Sequence, residues 1–508
     1  MKFRVNRPPQ NRQRGQAIIW FLATMVACIC AFALVYNVGQ IANKKEETTN
    51  AADAAALSGA IVEARILNFD AYTNRAIVAN EVTIAQLVSL DSFARFQSTL
   101  TQVIADYTII VPYLDDVTQA LADGASYLQD AADYALYSVP VISAFDNGLG
   151  LTENAVTLVG ALAADQVSSE IAKANATTFN GTLTDEPAET SGSGVALGLN
   201  EYVWAGFTQL NSGDGRATLK DAVLNSRDPF STKRENGFIV NTINTALKLA
   251  GLASLGTEYY QLDKTSKTTV LKDYDHWAAQ DSIDLDHTTI DFCFGFIPCG
   301  LITLPEPVPV AWGRTDADSD GSNDPNLCEE FQITIGVGVP VPTPNCLLAQ
   351  ENAANVDYMG LPSVRDLASG LATNDPCTVD NGSDSPSLPY VMAVQKPGKA
   401  TLTTSRLGLD APVAGPQGSP AMPDNLAGDD HLTSVAAACV FFLRPDGNMQ
   451  DITQGHLARF DGVHEYASLY SPYWQARLGE IDKTLGLALA TASNARGDIY
   501  FFQRTLTE

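Results

Sequence analysis

The residues best suited to chemistry are Asp316, Asp318, Asp320 and Asp324, in the run Asp316-Ala-Asp318-Ser-Asp320-Gly321-Ser-Asn-Asp324. Alternate aspartates in a tight turn aim their carboxylates at one point, and Gly321 permits the bend, so a hard cation with about six to eight oxygen ligands fits there. The expected occupant is one structural calcium ion. A twelve-residue EF-hand loop would need glutamate at Leu327, so this is a different loop, which Glu329 or Glu330 would close. The competing expectation is an ordinary solvated turn, since Asp, Ser, Gly and Asn are turn formers in their own right.

A second acidic patch runs from Asp273-Tyr-Asp275-His276-Trp277 to Asp281-Ser-Ile-Asp284-Leu-Asp286-His287 and repeats an Asp-His pair. Histidine beside carboxylate binds transition metals or moves protons. No HExxH spacing accompanies it, so the expectation is a surface helix around a buried Trp277. There is no GxSxG elbow, no Walker loop and no GxGxxG motif. No catalytic or cofactor-binding residue is assigned, and an enzyme is disfavoured. An exported metal-dependent hydrolase using Asp275/His276 and Asp286/His287 is the remaining enzymatic alternative.

These residues sit far along a chain whose beginning is apolar. Residues 1–16 hold five basic residues and no acid, and Ala17 to Val38 follow as 22 residues without a charge. As a helix that stretch is about 33 Å long, enough for a bilayer core. Basic residues on its N-terminal side place 1–16 in the cytoplasm and the remainder across the membrane. A cleaved signal peptide, cut after Ala31-Phe32-Ala33, is the rival, but the apolar run continues to Val38 and favours a retained anchor. Alanine-rich, proline-free sequence from Asn50 to Ala60 extends the helix as a stalk. Apolar residues at Val78, Val82, Ala85 and Val88 and then Phe93, Phe96, Leu100 and Ile104 mark an amphipathic helix. Further helices are expected at about 114–138, stopped by Pro140, at 152–175, and near 237–252.

Polar, Gly/Ser-rich sequence at 176–200 reads as a linker, which divides a helical region at 39–175 from a head at 201–508. Short turn-bounded runs at 292–312, 331–341, 390–404, 435–443 and 499–506 predict strands. The fold class is therefore α+β: a transmembrane helix, a helical stalk, and a head with a mostly antiparallel sheet. PEPVPVAW (305–312) and GVPVPTPNC (338–346) echo one another around the acidic loop, and prolines favour sheet edges, so they predict a protruding hairpin at about 292–346.

The formal charge is −27, and past residue 16 the chain holds 26 basic against 58 acidic residues. Phosphate backbones would be repelled by such a body, which argues against nucleic acid as a partner. Cys28 and Cys30 lie in the apolar span, while Cys293, Cys299, Cys328, Cys346, Cys377 and Cys439 lie in the exported part without zinc-ligand spacing. Up to three disulfides are expected, with Cys293–Cys299 and Cys377–Cys439 favoured.

Three stretches together resemble one family. They are Arg14-Gly15-Gln16-Ala17 with the apolar span, Val38-Gly39 and Asn50-AADAAALSG-Ala60; Ala71-Tyr-Thr-Asn74-Arg75-Ala76 with Ala79-Asn80-Glu81-Val82; and Ser468-Leu-Tyr470-Ser-Pro472-Tyr473-Trp474-Gln-Ala-Arg-Leu478. The combination resembles the TadG-like pilus-assembly family of Tad/Flp (tight adherence, type IVb-like) systems. The resemblance implies a single-pass protein of the bacterial inner membrane whose periplasmic part helps assemble or anchor a pilus used in surface attachment. Its implied partners are other Tad components or pilins. Prepilins of these systems carry glutamate five residues after the cleavage glycine, whereas Trp20 stands five after Gly15, so a retained accessory protein is expected. An exported calcium-stabilised adhesin is the alternative from another class. Among the quoted residues Tyr473 and Trp474 are expected in a core, and Asn74, Arg75, Asn80 and Glu81 on a solvated helix face.

Overall fold

The computed structural model describes residues 16–108, 115–176, 193–234, 241, 244–245, 248, 254–255, 258–294, 297–303, 308–319, 332–335, 339–342, 348–349, 353–369, 371, 386–397, 431–444 and 465–479. Its spine is α1 (Gln16–Thr108), 93 residues with no proline and two glycines. At 1.5 Å per residue it is about 140 Å long. After it come α2 (Asp115–Leu136), α3 (Val139–Ala176) and α4 (Ser193–Phe207), then β1 (Thr208–Asn211), α5 (Ala217–Ser226) and α6 (Pro229–Thr232). Pro140 does not stop a helix. It lies in the first turn of α3, where its missing N–H breaks no helical hydrogen bond, so α3 begins thirteen residues before the expected 152.

The strands follow as β2 (Ser254–Leu255), β3 (Glu258–Val270), β4 (Trp277–Phe294), β5 (Ile297–Thr303), β6 (Val308–Asp318), β7 (Gln332–Ile335), β8 (Val339–Pro342), β9 (Ala354–Asp357), β10 (Val364–Leu367), β11 (Ser387–Pro397), β12 (His431–Phe442) and β13 (Trp474–Gly479). One sheet runs β2-β3-β4-β6-β9 with β5 also on β4, and a second runs β11-β12-β13. All described pairings are antiparallel except β6 with β9. The α+β class and the antiparallel bias stand as expected. The predicted strand at 499–506 lies outside the described residues, as do 177–192 of the linker.

The two sheets pack against successive lengths of α1. Ala51, Ala52, Ala55, Ala56, Ala60 and Leu67 share a core with Leu388, Tyr390, Met392, Ala438, Val440 and Trp474. Farther along, Ile77, Ile84 and Val88 pack with Val270, Trp277, Ala279, Ala317 and Tyr358, and Phe96 and Leu100 with Leu262, Ile283 and Ala311. The stalk thus does not stand clear of the head; beyond about residue 50 it is the head's central element. Two glycines mark the closest crossings. A Cβ at Gly59 would lie 2.3 Å from the Tyr390 ring, and one at Gly313 of β6 would lie 2.2 Å from the Ser92 carbonyl oxygen of α1.

Two expectations change. The patch at 277–287 is strand β4, not a surface helix, although Trp277 is fully buried as expected. A strand wins because Asp281 and Asp284 are themselves buried, and Asp281 is held by cations from neighbouring segments. The Pro-rich echoes do not pair with each other: β6 lies between β4 and β9, and β8 pairs with β7. Pro309 fits inside the sheet because the β4–β6 register shifts beside it, between Ile283 and Asp284, and a bulge tolerates proline as an edge does.

Candidate functional site

The membrane end of α1 comes first. Ala17 to Val38 is long and apolar enough to cross a membrane, and no other described part of the protein covers its most apolar stretch. Above it, the alanines of Asn50 to Ala60 form a flat face on which β11–β13 lies; larger side chains there would hold the sheet off. Residues 15–62, this span and this face, match the family model described as "Putative Flp pilus-assembly TadE/G-like". Residues 15–62 are therefore similar to the TadE/G-like pilus-assembly family. No curated protein and no solved structure matches the chain.

The matched segment continues into residues that clasp the far end of the chain. The Asn68 amide donates to the Trp474 carbonyl (2.8 Å) and accepts from the Trp474 N–H (3.0 Å). Asn74 donates to the carbonyls of Leu469 and Arg365 (2.9 Å each), and Arg75 donates to the Tyr470 carbonyl. The stretches around 71–82 and 468–478 therefore form one contact. Trp474 is core, while Asn74 and Glu81 are fully buried and not on a solvated face. Their partners, the Leu469 and Arg365 carbonyls and the Trp277 indole, explain why polar side chains lie inside.

Between α1 and the antiparallel α3 lies a feature that sequence reasoning missed: three acid–acid pairs. Glu63 faces Asp165, Asp70 faces Glu153, and Glu81 faces Asp146, every one of them buried. Burial, reinforced by the Asp146 charge, lifts the Glu81 carboxyl to about 8, while the Trp277 indole and the Tyr358 hydroxyl donate to it (2.9 Å each) and pull it down. Desolvation raises Asp146 to about 7 against a hydrogen bond from Asn80 (2.6 Å). Glu153 reaches about 9 by burial and by the charge of Asp70, and Asp70 reaches about 7 by burial. Glu63 is driven well up by burial and Asp165, and Asp165 rises to about 6 despite the Tyr390 hydroxyl donating to it (2.9 Å). The signal was present in the sequence: Glu63, Asp70 and Glu81 are 7 and 11 residues apart, two and three helical turns, on the stripe that also carries Leu67, Ile77 and Ile84.

The opposite face of α3 is apolar and open. Val141, Phe145, Leu151, Leu158, Val159 and Leu162 project outward, with Leu151 and Leu158 each 73% exposed. From Val139 to Leu162 the only charged residues are Asp146 and Glu153, and both point inward. Tyr134 and Tyr137, in edge-on contact at the α2–α3 turn, extend the face. About 32 Å of uncharged helix surface on a protein of charge −27 exceeds the scatter of single exposed apolar residues normal for a monomer.

The residues predicted to do chemistry are dispersed. Asp316 and Asp318 lie in β6, buried; Asp316 accepts from the Arg314 guanidinium (2.9 and 3.0 Å), and Asp318 accepts from Asn355 (3.0 Å). Burial raises Asp316 to about 6 against the pull of Arg314. Asp320 and Asp324 lie outside the described residues. His276 pairs with Asp273 (2.5 Å) in the β3–β4 turn, and Asp275 pairs with Arg216 (2.8 Å). Asp286 lies ten residues along β4, about 33 Å away, so the two Asp-His pairs do not meet in one site. Among the described residues no three His, Cys, Asp or Glu side chains gather as a metal-binding group. Cys439 is disulfide-bonded; Cys377, its expected partner, lies outside the described residues, and β4 and β5 bring the backbones at 293 and 299 onto adjoining strands.

Proposed function

We propose that this protein is a non-enzymatic scaffold, anchored by α1 in the bacterial inner membrane with residues 1–16 in the cytoplasm, that helps assemble or anchor a Tad/Flp-type pilus. We further propose that the outward face of α3 receives an apolar helix of another pilus component. The observation that carries the reading is that the Tad match falls on a helix which is both the apolar span and the beginning of the head's spine. One continuous helix transmits position from bilayer to head without a hinge. The lack of charge on the docking face suits an apolar partner helix, whereas a charged partner would face an acidic body.

A photo-crosslinking residue at Leu158 tests this in cells making the pilus. The expected adduct, identified by mass spectrometry, is a pilin or a pilus-assembly protein. A second copy of this chain as sole adduct, or none, would overturn the docking role. Leu158→Asp should abolish piliation while changing stability by less than about 0.5 kcal/mol, because the side chain is mostly in solvent.

Calcium remains a proposal of a structural kind. With Asp316 engaged by Arg314, the ion would draw on Asp318, Asp320 and Asp324. Binding the folded state alone stabilises it by about 2.7 kcal/mol at a hundredfold excess over Kd. Millimolar calcium should then raise the melting temperature, and Asp320→Ala with Asp324→Ala should remove that rise. An equal rise in the variant would assign it to general screening of the acidic body.

A further inference from the structure

The three acid–acid pairs have a shared arrangement that stability alone does not require. Each joins one carboxyl of α1 to one of α3, at three levels of the same helix pair. Several of their oxygens are buried with no hydrogen-bond partner: Oε2 of Glu63, Oε1 of Glu81, Oδ2 of Asp146 and Oε2 of Glu153. A buried carboxylate oxygen left bare is costly, and two facing carboxylates more so, unless a proton lies between them.

The groups around each pair show what else is available to neutralise it. At Glu63 and Asp165 the neighbours are the Tyr390 hydroxyl of β11, Ser168 of α3, and Asn200 and Glu201 of α4, the last adding negative charge. At Asp70 and Glu153 they are Thr157, the Arg365 backbone N–H, the Arg365 guanidinium, Asp366 and Tyr470. At Glu81 and Asp146 they are Asn80, the Trp277 indole of β4 and the Tyr358 hydroxyl. Arg365 supplies positive charge to the middle pair, and the outer two are met by neutral donors.

We propose that the α1–α3 seam is a pH-sensitive clasp, closed when each acid pair holds a proton and loosened when those protons leave to solvent. A carboxyl whose pKa is raised by folding stabilises the fold fully below its unfolded value near 4, and that contribution is lost as pH rises through the folded value. The folded values of about 6 for Asp165, 7 for Asp70 and Asp146, 8 for Glu81 and 9 for Glu153 spread the loss from about pH 4, where the unfolded carboxyls ionise, up to about pH 9, with the slope easing as each folded value is passed. Because α3 carries the outward apolar face, the surrounding pH then sets how firmly that face is held. The clasp itself needs no docking partner, so its failure in the test would leave the scaffold role untouched.

The test is thermal unfolding of the full chain in detergent from pH 5.5 to pH 9, for wild type, Glu81→Gln, Glu153→Gln and the control Asp130→Asn, an exposed acid of α2. Glutamine keeps the shape of protonated glutamate and donates where the proton would lie. Wild type and Asp130→Asn should lose melting temperature from pH 5.5 upward, most steeply at the low end of the range. Each glutamine variant should exceed wild type by more at pH 8.5 than at pH 5.5, and show a shallower slope. Infrared spectroscopy provides a readout independent of stability: the absorption of protonated carboxyl groups should persist at pH 7 in wild type and weaken in both glutamine variants. Wild-type slopes retained in the glutamine variants, or no protonated carboxyl absorption at pH 7, would overturn the proposal.

Discussion

Gly313→Ala is expected to destabilise the head by about 3 kcal/mol, the upper end of the usual cost of overpacking. Strand β6 crosses α1 here so closely that a methyl group would lie 2.2 Å from the Ser92 carbonyl oxygen and 2.3 Å from the Phe96 amide nitrogen. Both obstacles are backbone of a long helix, which cannot turn aside as a flexible side chain does. The strand must therefore lift, separating Ala311 and Ile283 from Phe96 and Leu100 and weakening the hydrogen bond from Ser92 to the Gly313 carbonyl (3.1 Å). Urea unfolding followed by tryptophan fluorescence measures the loss. A shift below about 0.5 kcal/mol would mean that the crossing is looser than the geometry says. Gly124→Ala, a glycine of α2 with open space around its Cβ position, is the control and should be neutral or slightly stabilising.

This crossing also shows where sequence reasoning ended. The apolar span, the alanine-rich run and the stripe from Val78 to Ile104 are local patterns of helical period, so α1 was legible from them. What they do not reveal is which surface covers each face, because strands from residue 258 onward reach α1 only through tertiary packing. Glu63, Asp70, Asn74 and Glu81 carry charged or amide side chains, which ordinarily face water. Their burial depends on Tyr390, Thr157, Leu469 and Trp277, residues from 87 to 395 positions away. The acidic run at 281–286 misled for the same reason: its Asp-rich composition suggests exposure, and the cations that pay for its burial come from elsewhere in the chain. The contact of 71–82 with 468–478, two stretches outside the matched residues 15–62, follows from no spacing in the sequence.

Those cations lead to the second large effect. Asp281 is fully buried in β4 and receives the Arg234 guanidinium Nε at 2.9 Å on both carboxylate oxygens, Lys264 Nζ at 3.4 Å and the Ser92 hydroxyl at 2.9 Å. Arg234 also lies over the Phe230 ring, and Lys264 over Phe93 and Phe96, so both cations are enclosed by apolar surface. Burial lowers the Lys264 pKa, and the Asp281 charge opposes that fall. Asp281→Ala should cost about 3–5 kcal/mol, because it leaves buried cations without their anion. Asp281→Asn should fall between alanine and wild type, since its oxygen still accepts a hydrogen bond but its amide group faces donors. The origin of the cost is separable: a triple variant with Asp281→Leu, Arg234→Met and Lys264→Met removes every charge at once and should recover most of the stability lost in Asp281→Ala. If the triple variant is as unstable as the single one, the cluster acts through its shape and hydrogen bonds to Ser92 and Thr268, and not through charge balance. A loss below about 1 kcal/mol in Asp281→Ala would show that water reaches the cluster, and that this acidic body does not bury its few cations as tightly as the distances imply.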